Sequence, residues 1–104
     1  MNFQQLQHFI ALAETRSFSR ASEAVHVTQS ALSRSIQMLE QELGLPLVDR
    51  VGKQNELTPF GAFVLARARQ IVMQGAELKR AAALMAEGVA GTVALGMITS
   101  VGDA

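Results

Sequence analysis

Residues 17–43, SFSRASEAVHVTQSALSRSIQMLEQEL, predict a short helix, a tight polar turn and a longer second helix. Ser19 can cap the first helix and Thr28 the second, because a hydroxyl there accepts a hydrogen bond from a free backbone N–H of the first turn. Along the second helix, apolar side chains recur at steps of four, three and four residues, which makes one stripe: Leu32, Ile36, Leu39 and Leu43. We therefore expect a helix-turn-helix whose second helix is held from behind by that stripe.

The opposite face of the second helix is polar. A helix that offers amide, hydroxyl and guanidinium groups suits insertion into the major groove of DNA. Gln29 is the first candidate for base readout, since a carboxamide can pair with adenine through two hydrogen bonds. Ser30 and Ser33 can bond to bases or phosphates, and Gln37 continues the face. For Arg34 we favour a phosphate contact, with guanine as the alternative.

Residues at the start of each helix are candidates for contacts with the DNA backbone, which fix register without reading sequence. Ser17, Phe18 and Arg20 begin the first helix, and Thr28 can divide its hydroxyl between capping and a phosphate. Each of these side chains could instead be ordinary solvent-facing polarity.

This stretch and its flanks resemble the helix-turn-helix of the LysR-type transcriptional regulators. The resemblance covers residues 3–61 and rests on FIALAETRSFSRASEAVHVTQSALSRSIQMLEQELGLPLVDR followed by ELTPFG. Many positions match at once, so the signal is more specific than a lone short motif. Four residues depart from the family's pattern: Ser22 for alanine, Ser30 for proline, Val48 for phenylalanine and Phe60 for alanine. The resemblance implies a regulator that binds double-stranded promoter DNA as a dimer, or as a tetramer when full length.

A small hairpin is predicted after the second helix. Gly44 can end that helix, since glycine accepts the left-handed conformation needed there. An apolar run with Val48 and Val51 suits a strand, the turn formers of VGKQN follow, and ELT returns as the second strand at 56–58. The fold class that we predict is therefore mainly α, a winged helix-turn-helix with a two-stranded wing, followed by a long dimerisation helix.

Two cations lie at the tip of the predicted wing. Arg50 and Lys53 could reach phosphates or enter the minor groove, where the narrow, negative channel attracts positive side chains. The alternative for Arg50 is an ion pair that braces the wing. The alternative for Lys53 is a solvated, charged turn.

Thr58 and Pro59 predict the start of a long helix, a capping hydroxyl followed by proline at the first helical position. The helix is expected to run to about Glu87, a length of ~40 Å, which is too long for a domain this small to cover. Steps of four and three define a heptad seam that predicts a dimer interface: Val64, Ala68, Ile71, Gly75, Leu78, Ala82 and Met85. The alternative is that the first turns pack on their own domain and the rest is merely amphipathic.

The chain divides into three segments: a winged helix-turn-helix domain at 1–58, a linker and dimerisation helix at 59–87, and a tail at 88–104. The tail predicts a glycine-marked hinge and one apolar strand at 92–98, similar to the opening strand of the family's effector-binding domain. One strand cannot fold alone, so we expect a piece of a longer protein. A small-molecule effector would then act only through the missing domain.

Composition excludes several classes of function. No cysteine is present among the 104 residues, which removes thiolate chemistry, and no run is long enough to cross a membrane. His8 and His26 are isolated, and we interpret both as structural. With no nucleophile, base and orienting group in plausible reach, we expect neither an enzyme nor a cofactor. These features and the lack of a signal peptide fit a cytoplasmic protein.

Net charge favours a rival interpretation. Nine Lys and Arg balance nine Asp and Glu, whereas a DNA-binding domain is usually basic. The alternative function is a winged-helix module for protein interaction, dimerised by a coiled-coil arm. Phosphate binding depends on the local patch rather than the total charge. The polar face of the second helix and the cationic wing therefore favour DNA.

Overall fold

The computed structural model describes residues 1–52 and 55–93, with side chains described as far as residue 88. The elements in chain order are α1 (Phe3–Thr15), α2 (Phe18–Ala24), α3 (Gln29–Leu43), β1 (Val48–Asp49), β2 (Glu56–Leu57) and α4 (Pro59–Val93). The predicted fold class, a helix-turn-helix with a two-stranded wing and a long following helix, is confirmed. The chain separates into two compact units, one ending at Val72 and one beginning at Met73.

An apolar core lies within the first unit. The stripe predicted on α3 is confirmed, because Leu32, Ile36 and Leu39 are fully buried and Leu43 packs against them, partly covered. On α1, Phe3 is half exposed. The buried apolar residues are Leu6, Phe9, Ala11, Leu12, Ala21, Leu32, Ile36, Leu39, Leu47, Val48, Val64 and Ala68.

The ends of α3 are fixed by the two residues predicted to do so. The Oγ1 of Thr28 accepts a hydrogen bond from the N–H of Ala31 at 3.1 Å. At the other end Gly44 adopts a left-handed conformation with φ 93°, and its N–H donates to the carbonyl of Glu40 at 2.8 Å. Both caps satisfy backbone groups that the helix itself leaves unpaired.

The cap predicted for α2 was wrong by two residues. Ser17, not Ser19, is the N-cap, and its Oγ accepts from the N–H of Arg20 at 3.1 Å. The helix begins at Phe18, whose ring packs against the core. Ser19 therefore lies inside the first turn, where its carbonyl accepts a hydrogen bond from the Oγ of Ser22 at 2.8 Å.

The wing is shorter than predicted. Its antiparallel register pairs Val48 with Leu57 and Asp49 with Glu56. Val51, predicted as a strand residue, lies outside β1 and is 97% exposed. The carboxylate of Asp49 accepts the N–H of Val51 at 3.0 Å, which turns the chain away from the strand direction directly after β1.

The start of α4 is pressed against the segment that precedes β1. Thr58 caps the helix, because its Oγ1 accepts the N–H of Gly61 at 2.9 Å while donating to the carbonyl of Pro46 at 2.7 Å. A Cβ built on Gly61 would lie 2.0 Å from the carbonyl oxygen of Leu47. Only glycine allows this approach of two backbones.

Helix α4 does not end at Glu87 as predicted but continues to Val93. A glycine inside a helix costs about 1 kcal/mol against alanine, which does not stop a helix by itself. Gly88 is therefore helical, and so is Thr92, the first residue of the predicted strand. The rest of that strand, from 94 onward, lies outside the described residues. Among the described helices, none combines the length and the apolar character needed to cross a membrane.

Candidate nucleic-acid interface

The face of α3 opposite the core carries the residues predicted to read DNA. Gln29, Ser30, Arg34 and Gln37 are exposed, and Ser33 is half-buried at the edge of the face. Ser30, Arg34 and Gln37 are spaced by four and three residues and so form one ridge. The same spacing adds Gln41, which is exposed and was not in the predicted set.

An exposed methyl group interrupts this polar face. Ser30, Ala31 and Arg34 line a shallow depression near the start of α3. Ala31 was not among the predicted contact residues, because that prediction rested on polar side chains. Its methyl group can contact the methyl group of thymine, so the depression combines hydrogen-bonding and apolar recognition.

The hydroxyls predicted to contact the DNA backbone already serve as helix caps. Ser17 is half-buried at the start of α2, and Thr28 is exposed at the start of α3 with its Oγ1 3.4 Å from the Oγ of Ser30. A phosphate at Thr28 would share the hydroxyl with the cap. Arg20 is exposed on α2, whereas Phe18 is partly buried against the core.

The ion pair considered for Arg50 is present. Its Nη1 lies 3.0 Å from Oε1 and 3.3 Å from Oε2 of Glu40, and its guanidinium lies over the ring of Phe18 at 5.8 Å. The Oε2 of Glu40 also accepts the N–H of Leu47 at 2.7 Å. Arg50 therefore braces the wing against α3, and its contact with DNA stays a prediction. Lys53 lies outside the described residues.

A second polar contact holds the other edge of α3. The Nδ1 of His8 lies 2.8 Å from the Oγ of Ser35, and the imidazole is buried. Desolvation lowers the pKa of His8 from its ordinary value of 6.5. The structural interpretation of this histidine agrees with the contact, but sequence analysis did not single out Ser35. On a helical projection Ser35 and Glu40 flank the apolar stripe on opposite sides, so α3 is anchored at both edges.

The seam predicted on α4 is only partly available to a second chain. Val64 is 8% exposed and Ala68 is 1% exposed, because both belong to the core of the first unit. Burial within one chain leaves these two side chains little surface for a partner, and for these turns it agrees with the alternative of packing on their own domain. Ile71, Leu78 and Met85 remain exposed, as do Ala82 and, partly, Gly75.

The described surface of α3 carries hydrogen-bonding and positively charged groups. Within the described part of the chain, no group of three or more His, Asp and Glu side chains could hold a metal ion. The exposed face of α3 offers hydrogen-bond donors and acceptors together with a guanidinium, on a helix fixed at both ends. This is the arrangement by which a helix-turn-helix domain presents its second helix to the major groove.

Comparisons with known proteins agree with this class. Residues 3–62 match the family described as bacterial regulatory helix-turn-helix protein, lysR family. The chain is 36% identical over 102 residues to the DNA-binding transcriptional dual regulator OxyR of Escherichia coli (strain K12), a match covering 98% of this chain and 33% of OxyR.

Two solved structures extend the comparison. Vibrio fischeri DarR in complex with DNA has a TM-score of 0.76 and 40% identity, over 82% of this chain and 30% of DarR. The BenM_DBD/catB site 1 DNA complex has a TM-score of 0.79 and 31% identity, over 83% of this chain and 96% of that one.

The fold thus defines a winged helix-turn-helix domain. More particularly, the chain belongs to the lysR family of bacterial regulatory helix-turn-helix proteins. It spans about a third of the length of curated relatives such as OxyR.

Proposed function

We propose that this chain is the DNA-binding part of a transcriptional regulator, which places α3 in the major groove of promoter DNA and reads its sequence. The observation that carries the proposal is the exposed ridge of Ser30, Arg34, Gln37 and Gln41 on a helix capped at both ends. The DNA complexes formed by the similar DarR and BenM chains support it.

Each residue predicted to contact DNA has a role in the proposal. Gln29 reads adenine through its carboxamide, and Ser30 and Ser33 bond to bases or phosphates near the start of α3. Arg34 binds a phosphate, and Gln37 extends the reading face. Ser17, Phe18, Arg20 and Thr28 set the register on the backbone, while Arg50 and Lys53 carry the wing's positive charge to the DNA.

The functional unit in this proposal is a dimer formed through α4. Exposed apolar side chains in the second unit support it, because Met73 is 57%, Leu78 70%, Leu84 63% and Met85 48% exposed. The interface comprises Ile71, Gly75, Leu78, Ala82 and Met85, without Val64 and Ala68. Two-fold symmetry then predicts an operator with two related half-sites.

We infer that the complete regulator acts in the cytoplasm, where bacterial promoters are. There it forms a dimer or a tetramer, and a small molecule acts through a domain beyond this chain. Apolar side chains on α4 would also suit the rival module for protein interaction. The ridge on α3 and the family membership support the DNA-binding proposal and not the interaction module.

The test is a titration of the chain with duplexes selected for binding from a random library, alongside unselected duplexes, at several salt concentrations. Arg34→Ala should weaken binding to all duplexes alike. The slope of log K against log salt concentration should become shallower by about one, the value expected for the loss of one phosphate contact. Gln29→Ala should reduce the preference for selected duplexes by about 1–3 kcal/mol. Arg80→Ala and Gln7→Ala remove the same groups from exposed positions on α4 and α1 and should bind as the parent does.

The proposal would be contradicted if the chain formed a folded dimer but bound no duplex at low salt. Equal effects of Arg34→Ala and Arg80→Ala would remove the assignment of α3 as the contact surface.

A further inference from the structure

The wing arginine has unused hydrogen-bonding capacity. A guanidinium carries five N–H groups, and in this structure only Nη1 of Arg50 bonds to Glu40. Among residues 1–52 and 55–88, the groups on Nε and Nη2 make no hydrogen bond or ion pair. The side chain as a whole is 37% exposed.

Glu40 is placed to hold that guanidinium in one orientation. Its side chain is 12% exposed and accepts both the N–H of Leu47 and the Nη1 of Arg50. The ring of Phe18 at the start of α2 restricts the guanidinium from another side. Arg50 is thereby fixed between α2, α3 and the wing.

The ion pair also lies beside the face proposed to read DNA. Ser33, Gln37 and Glu40 follow one another at steps of four and three residues, so they share one side of α3. A carboxylate so close to a DNA-binding face would repel phosphates if its charge were not neutralised. Pairing with Arg50 removes that repulsion and leaves donors that can reach a phosphate.

We propose that Arg50 contacts a DNA phosphate while it stays bonded to Glu40, and that Glu40 is the positioning residue for this contact. The inference rests on the proposed DNA-binding function and deepens it. It joins the two roles considered for Arg50, since one guanidinium can serve a carboxylate and a phosphate at once through different edges. The acidic residue thus aids binding to a polyanion.

The sign of the Glu40→Gln effect separates positioning from simple electrostatics. Removing a negative charge near DNA should tighten binding if charge alone matters. If Glu40 positions Arg50, Glu40→Gln should instead weaken binding to a random-sequence duplex roughly three- to tenfold, the cost of ordering a free arginine side chain. Its salt dependence should stay that of the parent. Glutamine keeps an oxygen for the N–H of Leu47, so the loop remains capped.

Glu23→Gln is the matched control. Glu23 is exposed on α2 and forms no ion pair among the described residues. This variant should bind as tightly as the parent or slightly more tightly. Glu40→Gln behaving like Glu23→Gln, in a chain that binds DNA, would overturn the inference and leave the proposed function intact.

A double-mutant cycle identifies the route of the effect. Arg50→Gln should weaken binding and lower the salt dependence by about one contact. Adding Glu40→Gln to Arg50→Gln should then change affinity less than twofold, because Glu40 would have no guanidinium left to position. Additive losses would show that Glu40 acts through the wing backbone and would overturn the inference.

Arg50→Lys tests the same contact without touching Glu40. Lysine keeps the charge, so the salt dependence of binding should persist. Its ammonium lacks the planar guanidinium geometry that allows hydrogen bonds to two partners, so the affinity for DNA should fall. Affinity equal to the parent's would contradict the shared contact. If the parent chain binds no duplex at low salt, the proposed function fails, and the inference that rests on it is overturned too.

Discussion

The Nδ1 of His8 on α1 lies 2.8 Å from the Oγ of Ser35 on α3, and His8 is 6% exposed. The two residues are 27 positions apart in the chain, and Ser35 directly follows Arg34. Because burial disfavours the charged imidazolium, the pKa of His8 is lowered from 6.5. At neutral pH the His8 side chain that bonds to Ser35 is therefore the neutral imidazole.

Burial of His8 predicts a loss of stability in acid. The unfolded chain binds a proton at the ordinary pKa of about 6.5, whereas the folded chain does so only at lower pH, so more protons are bound in the unfolded state over that interval. The free energy of unfolding should accordingly fall as pH drops below about 6.5. Urea unfolding of His8→Gln over a pH series should show a weaker fall than the parent.

His26→Asn is the control for that series. His26 is exposed and has a left-handed φ of 60°, which asparagine tolerates. Its pH series shows whether a changed pH dependence is specific to the loss of His8. Identical pH dependence in His8→Gln and the parent would contradict the role assigned to burial of His8.

Gly61→Ala should be strongly destabilising. The added Cβ would meet the carbonyl oxygen of Leu47 at 2.0 Å, and neither backbone can move without disturbing the wing or α4. We expect a loss of about 3 kcal/mol in the free energy of unfolding, at the upper end for overpacking. Gly88→Ala is the control, because its Cβ would meet nothing within 4 Å. A similar stability for both variants would contradict the close approach.

Thr28→Ala should cost about 1 kcal/mol in the free energy of unfolding, because the N–H of Ala31 loses its acceptor. Thr28→Ser keeps the hydroxyl and should retain most of the stability. Thermal and urea unfolding of the two variants measure the difference. Equal losses in both would point to the methyl group of Thr28 rather than to the cap.

Substitutions along α4 should separate the core from the proposed dimer interface. Leu78→Glu should yield a folded monomer by analytical ultracentrifugation, since Leu78 is 70% exposed within one chain. Ala68→Glu should unfold the first unit, because it buries an unpaired charge in the core. Ala76→Glu adds the same charge outside the seam and should leave the dimer intact. A dimeric Leu78→Glu variant would contradict the proposed interface.

Local patterns predicted the helices well. The stripe of α3, its cap at Thr28 and its end at Gly44 depend on neighbours within one or two turns, so the sequence contains them directly. The cap at Ser17 was misplaced because Ser17 and Ser19 are chemically equal candidates. Only the packing of Phe18 decides between them.

Features that join distant segments were not predictable in the same way. A heptad seam and a helix packed on its own domain share one periodicity, so the pattern could not assign Val64 and Ala68 to the core. The contacts of Ser35 and Glu40 depend on which residues the fold brings beside α3. No spacing in the sequence encodes those partners.

Helix α3 enters the proposed complex already ordered. Caps at Thr28 and Gly44 fix its ends, and contacts with His8 and Arg50 fix its edges. Association with DNA then requires little coupled folding of this helix. Its heat-capacity change should therefore reflect only the surface buried between protein and DNA, as expected for rigid partners.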